Sequence, residues 1–215
     1  MRFIHQIPII LLAMAAGCAA SIKDQSAVNY VGGDFAPDVL REGGMAMLPV
    51  VAGAGQEGYR RPLAECLTGE CQLAMGTGRF AGWQETMEIL NEEDLSDSYQ
   101  MMIATYRETA ILRKETVSRL GEALSVRFLL FCSLEQFHSQ TSTTYSIFTG
   151  FNTVRKSGVT AFCQVWDAET GDVVWEGQAA AKSAGGELTY DKPYEEYARI
   201  AAKGLARELF QLAER

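Results

Sequence analysis

Val165-Trp166-Asp167-Ala168-Glu169-Thr170-Gly171-Asp172-Val173-Val174-Trp175 is the stretch on which the reading of this chain turns. Two runs of β-branched and aromatic residues flank a polar centre, and Gly171 stands where a tight connection needs a positive φ. A β-hairpin is expected, with strands over residues 159–167 and 172–182. Upstream, Phe128, Leu130, Cys132 and Leu134 alternate with Leu129, Phe131 and Ser133. Both faces of that segment are apolar, so it reads as a central strand. Between it and the hairpin lie residues 139–157, rich in Ser and Thr, with Tyr145, Ile147, Phe148, Phe151 and Val154. A surface loop, a protruding hairpin and a membrane-inserting hairpin all fit the length. Neither face is consistently apolar, however, as a barrel strand in lipid would require.

Outward from this core, Tyr194, Tyr197, Ala201, Leu205, Leu209 and Leu212 recur at helical spacing behind Asp191 and Pro193, which suit a helix start. On the other side, Met45-Ala46-Met47-Leu48-Pro49-Val50-Val51 reads as an opening strand buried on both faces. Tyr59, Leu63, Cys66, Leu67, Leu73 and Ala74 then mark a helix, with Gly69 a weak point of up to about 1 kcal/mol. Residues 79–83 and 86–90 read as short irregular strands. Glu92-Glu93-Asp94-Leu95-Ser96 looks like a helix start with acids at the positive end of the dipole. A further helix follows over Ile111, Leu112, Glu115, Val117, Leu120 and Leu124. This order implies an α/β fold: a mixed sheet with an antiparallel C-terminal meander and helices packed on it.

The N-terminus carries a different kind of signal. Met14-Ala15-Ala16-Gly17-Cys18 closes a short apolar segment that begins behind Arg2. That segment is too short to cross a bilayer, which takes about 20 apolar residues; charge, apolar run and small residues follow one another as in a signal peptide. The run resembles the lipobox of bacterial lipoproteins. In that family cleavage falls between Gly17 and Cys18, and Cys18 then carries acyl chains. The resemblance divides the chain into a signal peptide over 1–17, a lipid-anchored flexible tether over 18–43 and a single α/β domain over 44–215. Val28, Tyr30, Val31 and Phe35 supply material for a docking strand within the tether. Ala19 stands where an Asp would favour retention in the inner membrane, so the resemblance implies the outer membrane, facing the periplasm.

Composition bounds the rest. The chain has 215 residues and a formal charge of −8, with no cluster of Lys or Arg. Nucleic acid is therefore not an expected partner. Cys66, Cys71, Cys132 and Cys163 remain after Cys18, and an exported protein permits disulfides. Cys66 and Cys71 could pair only if the chain broke near Gly69, because one unbroken helix would hold them too far apart. Cys132 and Cys163 lie in two expected strands. For each pair, a bond and two free thiols stay equally open. Gly53-Ala54-Gly55-Gln56-Glu57-Gly58 satisfies a dinucleotide fingerprint after a strand, yet lacks the acid about 20 residues on that a ribose contact needs. Outside the signal segment His138 is the one histidine, and no metal-ligand spacing or nucleophile elbow occurs. No cofactor, metal or catalytic residue is expected, and the chain is not read as an enzyme.

Together, the Met45 to Pro49 strand, the turn over residues 123–129 and the Asp167-Ala168-Glu169-Thr170-Gly171-Asp172 hairpin resemble a family of envelope lipoproteins. It includes the curli-secretion lipoprotein, lipoprotein activators of peptidoglycan synthases and the N-terminal domain of TolB. The resemblance covers most of residues 44–212. It implies a TolB N-terminal-like fold and a non-catalytic accessory role in cell-envelope assembly, secretion or peptidoglycan synthase activation, through an envelope protein partner. The alternatives are a subunit of an oligomeric curli-type export channel, hence a homo-oligomer, and an enzyme using the glycine loop at 53–58. Leu129, Phe131, Phe162 and Trp166 form the expected partner surface, on the assumption that the C-terminal helix leaves them uncovered.

Overall fold

The turn at Asp167 closes as its sequence requires. Gly171 adopts φ +79° and donates its N–H to the Asp167 carbonyl at 2.8 Å, while the Asp167 N–H reaches the Asp172 carbonyl at 2.9 Å. In the computed structural model, residues 22–33, 35–147, 150–183 and 193–211 are described. Cys18, Gly17 and the expected signal segment lie outside them, as do Phe148, Asp191 and Leu212.

The strands are β1 (Ile22–Val31), β2 (Met45–Met47), β3 (Val51–Ala52), β4 (Phe80–Ala81), β5 (Phe128–Ser146), β6 (Gly150–Asp167) and β7 (Val173–Ser183). The helices are α1 (Pro37–Gly43), α2 (Arg60–Met75), α3 (Trp83–Glu92), α4 (Ser96–Thr109), α5 (Lys114–Leu124) and α6 (Tyr194–Phe210). One 7-stranded sheet runs in the order β1-β7-β6-β5-β2-β4, with β3 also beside β5. From β1 to β5 the neighbours are antiparallel; β2, β3 and β4 add parallel pairs. The fold is thus α/β with a mixed sheet and an antiparallel C-terminal meander.

Strand alternation splits the core in two. Leu130, Cys132, Val159, Val165 and Trp175 face α2 and α6. On the other side, Leu129, Phe131 and Trp166 join Ala46 and Leu48 beneath α3, α4 and α5. Helices on both faces make three layers. Pro49 removes a ladder donor, which is why the expected opening strand is split into β2 and β3. Leu48 bridges the gap by donating its N–H to the Leu130 carbonyl at 2.9 Å.

Several expectations change. Much of the segment read as tether is ordered: β1 pairs antiparallel with β7 from Ile22 opposite Ser183 to Val31 opposite Trp175, and α1 follows. Ladder hydrogen bonds and the packing of Ile22 and Val28 against the core hold this docking strand, for which Val28, Tyr30 and Val31 supply the material. Residues 86–90, read as strand, lie in α3, because Trp83, Thr86 and Leu90 sit at helical spacing with Thr86 and Leu90 buried; of 79–83, Phe80 and Ala81 form β4. The acids at 92–94 end that helix instead of opening the next, with Asp94 at φ +52° in the connection. α2 runs unbroken through Gly69, so Cys66 and Cys71 are unbonded. Cys132 and Cys163 stand directly opposite in the β5–β6 ladder and form a disulfide, their Cα atoms 4.2 Å apart.

Candidate functional site

The two ends of the sheet differ in chemistry. One holds the start of β1 and the outgoing β5–β6 hairpin; the other holds the β6–β7 turn and the end of β1.

At the β6–β7 end, Arg127 precedes β5 and Asp167 ends β6, so adjacent strand ends bring them together. Arg127 donates through Nε at 3.1 Å and Nη2 at 2.7 Å to the same Asp167 oxygen. The other Asp167 oxygen accepts the Glu169 N–H at 2.9 Å. The Asp167 side chain is 3% exposed and that of Arg127 37%. Hydrogen bonding to Asp167 is the main cause holding the Arg127 guanidinium above its ordinary pKa, and the same group lies 5.1 Å from the Phe128 ring centre. Beside this pair a cleft of about 570 Å³ is lined by Tyr30, Phe35, Arg127, Asp172, Glu176 and neighbouring backbone. With Arg127 committed to Asp167, Asp172 and Glu176 give the cleft an acidic rim. Such a rim suits a lysine, an arginine or backbone N–H donors.

The expected partner surface is mostly interior. Leu129 and Phe131 are fully buried and Trp166 nearly so. The C-terminal helix does leave that face free, but α3, α4 and α5 cover it. α4 is pinned there by polar contacts: the Tyr106 hydroxyl donates to Gln164 Oε1 at 3.0 Å, Trp166 Nε1 donates to the same oxygen at 3.2 Å, and Tyr99 donates to the Pro49 carbonyl at 3.0 Å. Burial pushes the Tyr106 pKa up to about 12. Phe162 alone of the four is half-exposed, in a groove of about 680 Å³ with Tyr106, Arg107, Glu135 and Gln178. Beyond α4 the sheet face over Phe162, Gln178, Gln25 and Ala27 is open.

In the glycine loop the backbone donors at Gly55 and Gln56 are already engaged. Gly55, at φ +80°, gives its N–H to the Glu57 carboxylate at 3.2 Å. That contact and the N–H of Glu57 itself, the larger cause, hold the Glu57 carboxyl below its usual pKa. Gln56 Oε1 accepts the Phe137 N–H at 3.2 Å, which ties the loop to β5. His138 lies within β5, half-buried over Gly158. Neither free thiol is poised to react: burial raises Cys66, and it pushes Cys71 up to about 12. Among the described residues, no group of three or more His, Cys, Asp or Glu side chains could hold a metal ion, and no helix is long and apolar enough to cross a membrane.

The class defined by these features is a three-layer α/β domain with a disulfide at its centre and an acidic cleft at one end. No family model matches the chain, and no curated protein matches it. Solved structures do. The PelC dodecamer from Paraburkholderia phytofirmans is similar at TM-score 0.48 and 10% identity, over 88% of this chain and 97% of that one. Lipoprotein GNA1162 from Neisseria meningitidis is similar at TM-score 0.40 and 11% identity, over 80% and 98%. The LpoB C-terminal domain from Salmonella enterica follows at TM-score 0.31 and 10% identity, over 74% and 88%.

Proposed function

We propose that this chain is an outer-membrane-anchored periplasmic lipoprotein, acylated at Cys18, that serves as a non-catalytic protein-binding accessory factor in the cell envelope. Assembly, secretion and peptidoglycan synthase activation are the processes it would serve. The observation that carries the reading is the lipobox closing on Cys18 with Ala19 behind it. The Cys132–Cys163 disulfide supports it, because such bonds persist in oxidising compartments. The acidic cleft supports a binding role, since it lies at the end of the sheet away from Ile22 and the anchor, open to a basic segment of a periplasmic partner. A homo-oligomer is the second reading, favoured by β1: it is the longer of the sheet's two outer strands among the described residues, with Tyr30 and Val31 exposed.

Photo-crosslinking in intact envelopes tests the role. A photoreactive residue at Tyr30, on the wall of the cleft, should yield one discrete adduct with another protein, lost when Asp172→Lys and Glu176→Lys are added. Adducts of the chain with itself alone would overturn the accessory reading in favour of the oligomer.

A further inference from the structure

The chain between Cys18 and Ile22 is too short to let the domain float free of its anchor. Four residue steps at 3.3–3.6 Å span at most about 14 Å, whatever conformation they take. Given the acylation proposed above, on which this inference rests, Ile22 is held within that distance of the lipid attachment point. The end of the sheet bearing Ile22 must then face the bilayer.

The β5–β6 hairpin leaves the sheet at this same end. Ile22 is opposite Ser183, Lys182 is opposite Gly158 and Gly158 is opposite His138. The level of Ile22 therefore meets β5 at Ser139. From there the ladder continues to Ser146 opposite Gly150, seven further steps or about 23 Å at 3.3 Å each. Two strand steps separate β1 from β6, a rotation of roughly 45° at 20–25° per step. About 16 Å of the hairpin still projects toward the membrane after that turn, no less than the full leash. Its base is held in direction. Phe137 packs between Tyr59 and Tyr194, ring centres 4.5 and 5.0 Å away, and the Ser157 N–H donates to Ser183 Oγ at 3.1 Å.

Chemistry along the hairpin matches this placement. Ser139, Gln140, Thr141, Ser142 and Thr143 make an exposed polar stalk, unfit for the hydrocarbon interior. At the tip Tyr145 is 63% exposed and Ile147 87%. Beside the stalk, Lys23 stands directly opposite Lys182, and both are exposed, as is Lys156 one pair further along the same face. Like charges opposite each other oppose strand pairing; anionic headgroups within reach would offset that repulsion.

We propose that the tip around Tyr145 and Ile147 inserts into the headgroup and upper acyl layer of the bilayer that carries the anchor, without crossing it. Lys23, Lys156 and Lys182 then lie over the anionic surface. The domain is thereby fixed on the membrane at two points, lipid and hairpin, with the acidic cleft turned outward.

The test uses the full acylated protein in vesicles of phosphatidylethanolamine and phosphatidylglycerol doped with brominated phosphatidylcholine. Ile147→Trp adds a reporter at an exposed position that folding does not depend on, and wild-type emission from the native tryptophans is subtracted. The expected result is a blue-shifted added emission, quenched more by bromines on the upper acyl carbons than by those near the chain ends. An added emission that stays water-like and unquenched, on protein whose mass shows acylated Cys18, would overturn the insertion while leaving the anchor intact. Stronger quenching from the deep bromines would mean a spanning hairpin and would overturn it too. A mass without acyl chains would remove the anchor and this inference together.

Discussion

Arg127 and Asp167 show how an acidic site is built from a residue pair that sequence reading passed over. The Asp-x-x-Thr-Gly turn was visible, but nothing local marks Arg127 as its partner forty positions away; only the β5–β6 register joins them. Replacing Arg127 with Ala leaves a buried carboxylate with the Glu169 N–H as its remaining donor. A fully buried pair would lose about 3–5 kcal/mol, and the partial exposure of Arg127 reduces this to roughly 2 kcal/mol. Asp167→Asn keeps an oxygen for the Glu169 N–H but sets an NH2 against the Arg127 guanidinium, whose 37% exposure lets it turn to water, and should cost about 1 kcal/mol. Urea unfolding of both variants checks the order, and equal midpoints would refute it. Cys71 makes a second expectation, for pH. Its thiol in the fold holds its proton up to about 12, whereas an unfolded chain loses it near the ordinary value of 9.0. Above that value the folded state binds more protons, so stability present below pH 9 declines as pH rises toward 12. The slope is about 1.4 kcal/mol per unit. Between about pH 9 and 10.5 the wild type should lose about 1.5 kcal/mol more stability than Cys71→Ala. Parallel curves would contradict it.

Glycines report how the elements meet. Gly69 lies inside α2, and an added Cβ there meets nothing within 4 Å. Gly69→Ala should raise stability by about 0.5–1 kcal/mol, read as a higher Tm. Gly121 is the opposite case: its added Cβ would come within 2.4 Å of the Ala168 Cβ, where α5 presses on the β6–β7 turn and Ser118 Oγ donates to the Ala168 carbonyl at 2.6 Å. Gly121→Ala should lower stability by about 1–3 kcal/mol through overpacking; an unchanged Tm would show that α5 does not sit this close. Elements with a strong period are legible in the sequence: α2, α5, α6, the β6–β7 hairpin and the central strand β5. β1 and α3 were harder. β1 is polar at most positions because one of its faces is open, and α3 is short, with Trp83 and Thr86 favouring strands by propensity.

Taken whole, the molecule is a sheet with two unlike ends, and the function proposed for it depends on which end faces the membrane. The fold class followed from element order, because a parallel opening strand and an antiparallel meander leave few alternatives. The partner surface did not, since alternation along β5 and β6 tells which residues share a face and says nothing about which helix covers it. Three helices between β4 and β5 cover the face expected to be bare, and the proposed binding site moves to the rim at Asp172 and Glu176. All of this orientation hangs on Cys18. The most direct test is the mass of the N-terminal peptide from protein purified out of the envelope fraction. The account predicts a peptide beginning at Cys18 and carrying acyl chains on its sulfur and its amine, absent when Cys18 is replaced by Ser. A peptide that begins elsewhere, or an unmodified Cys18, would contradict it.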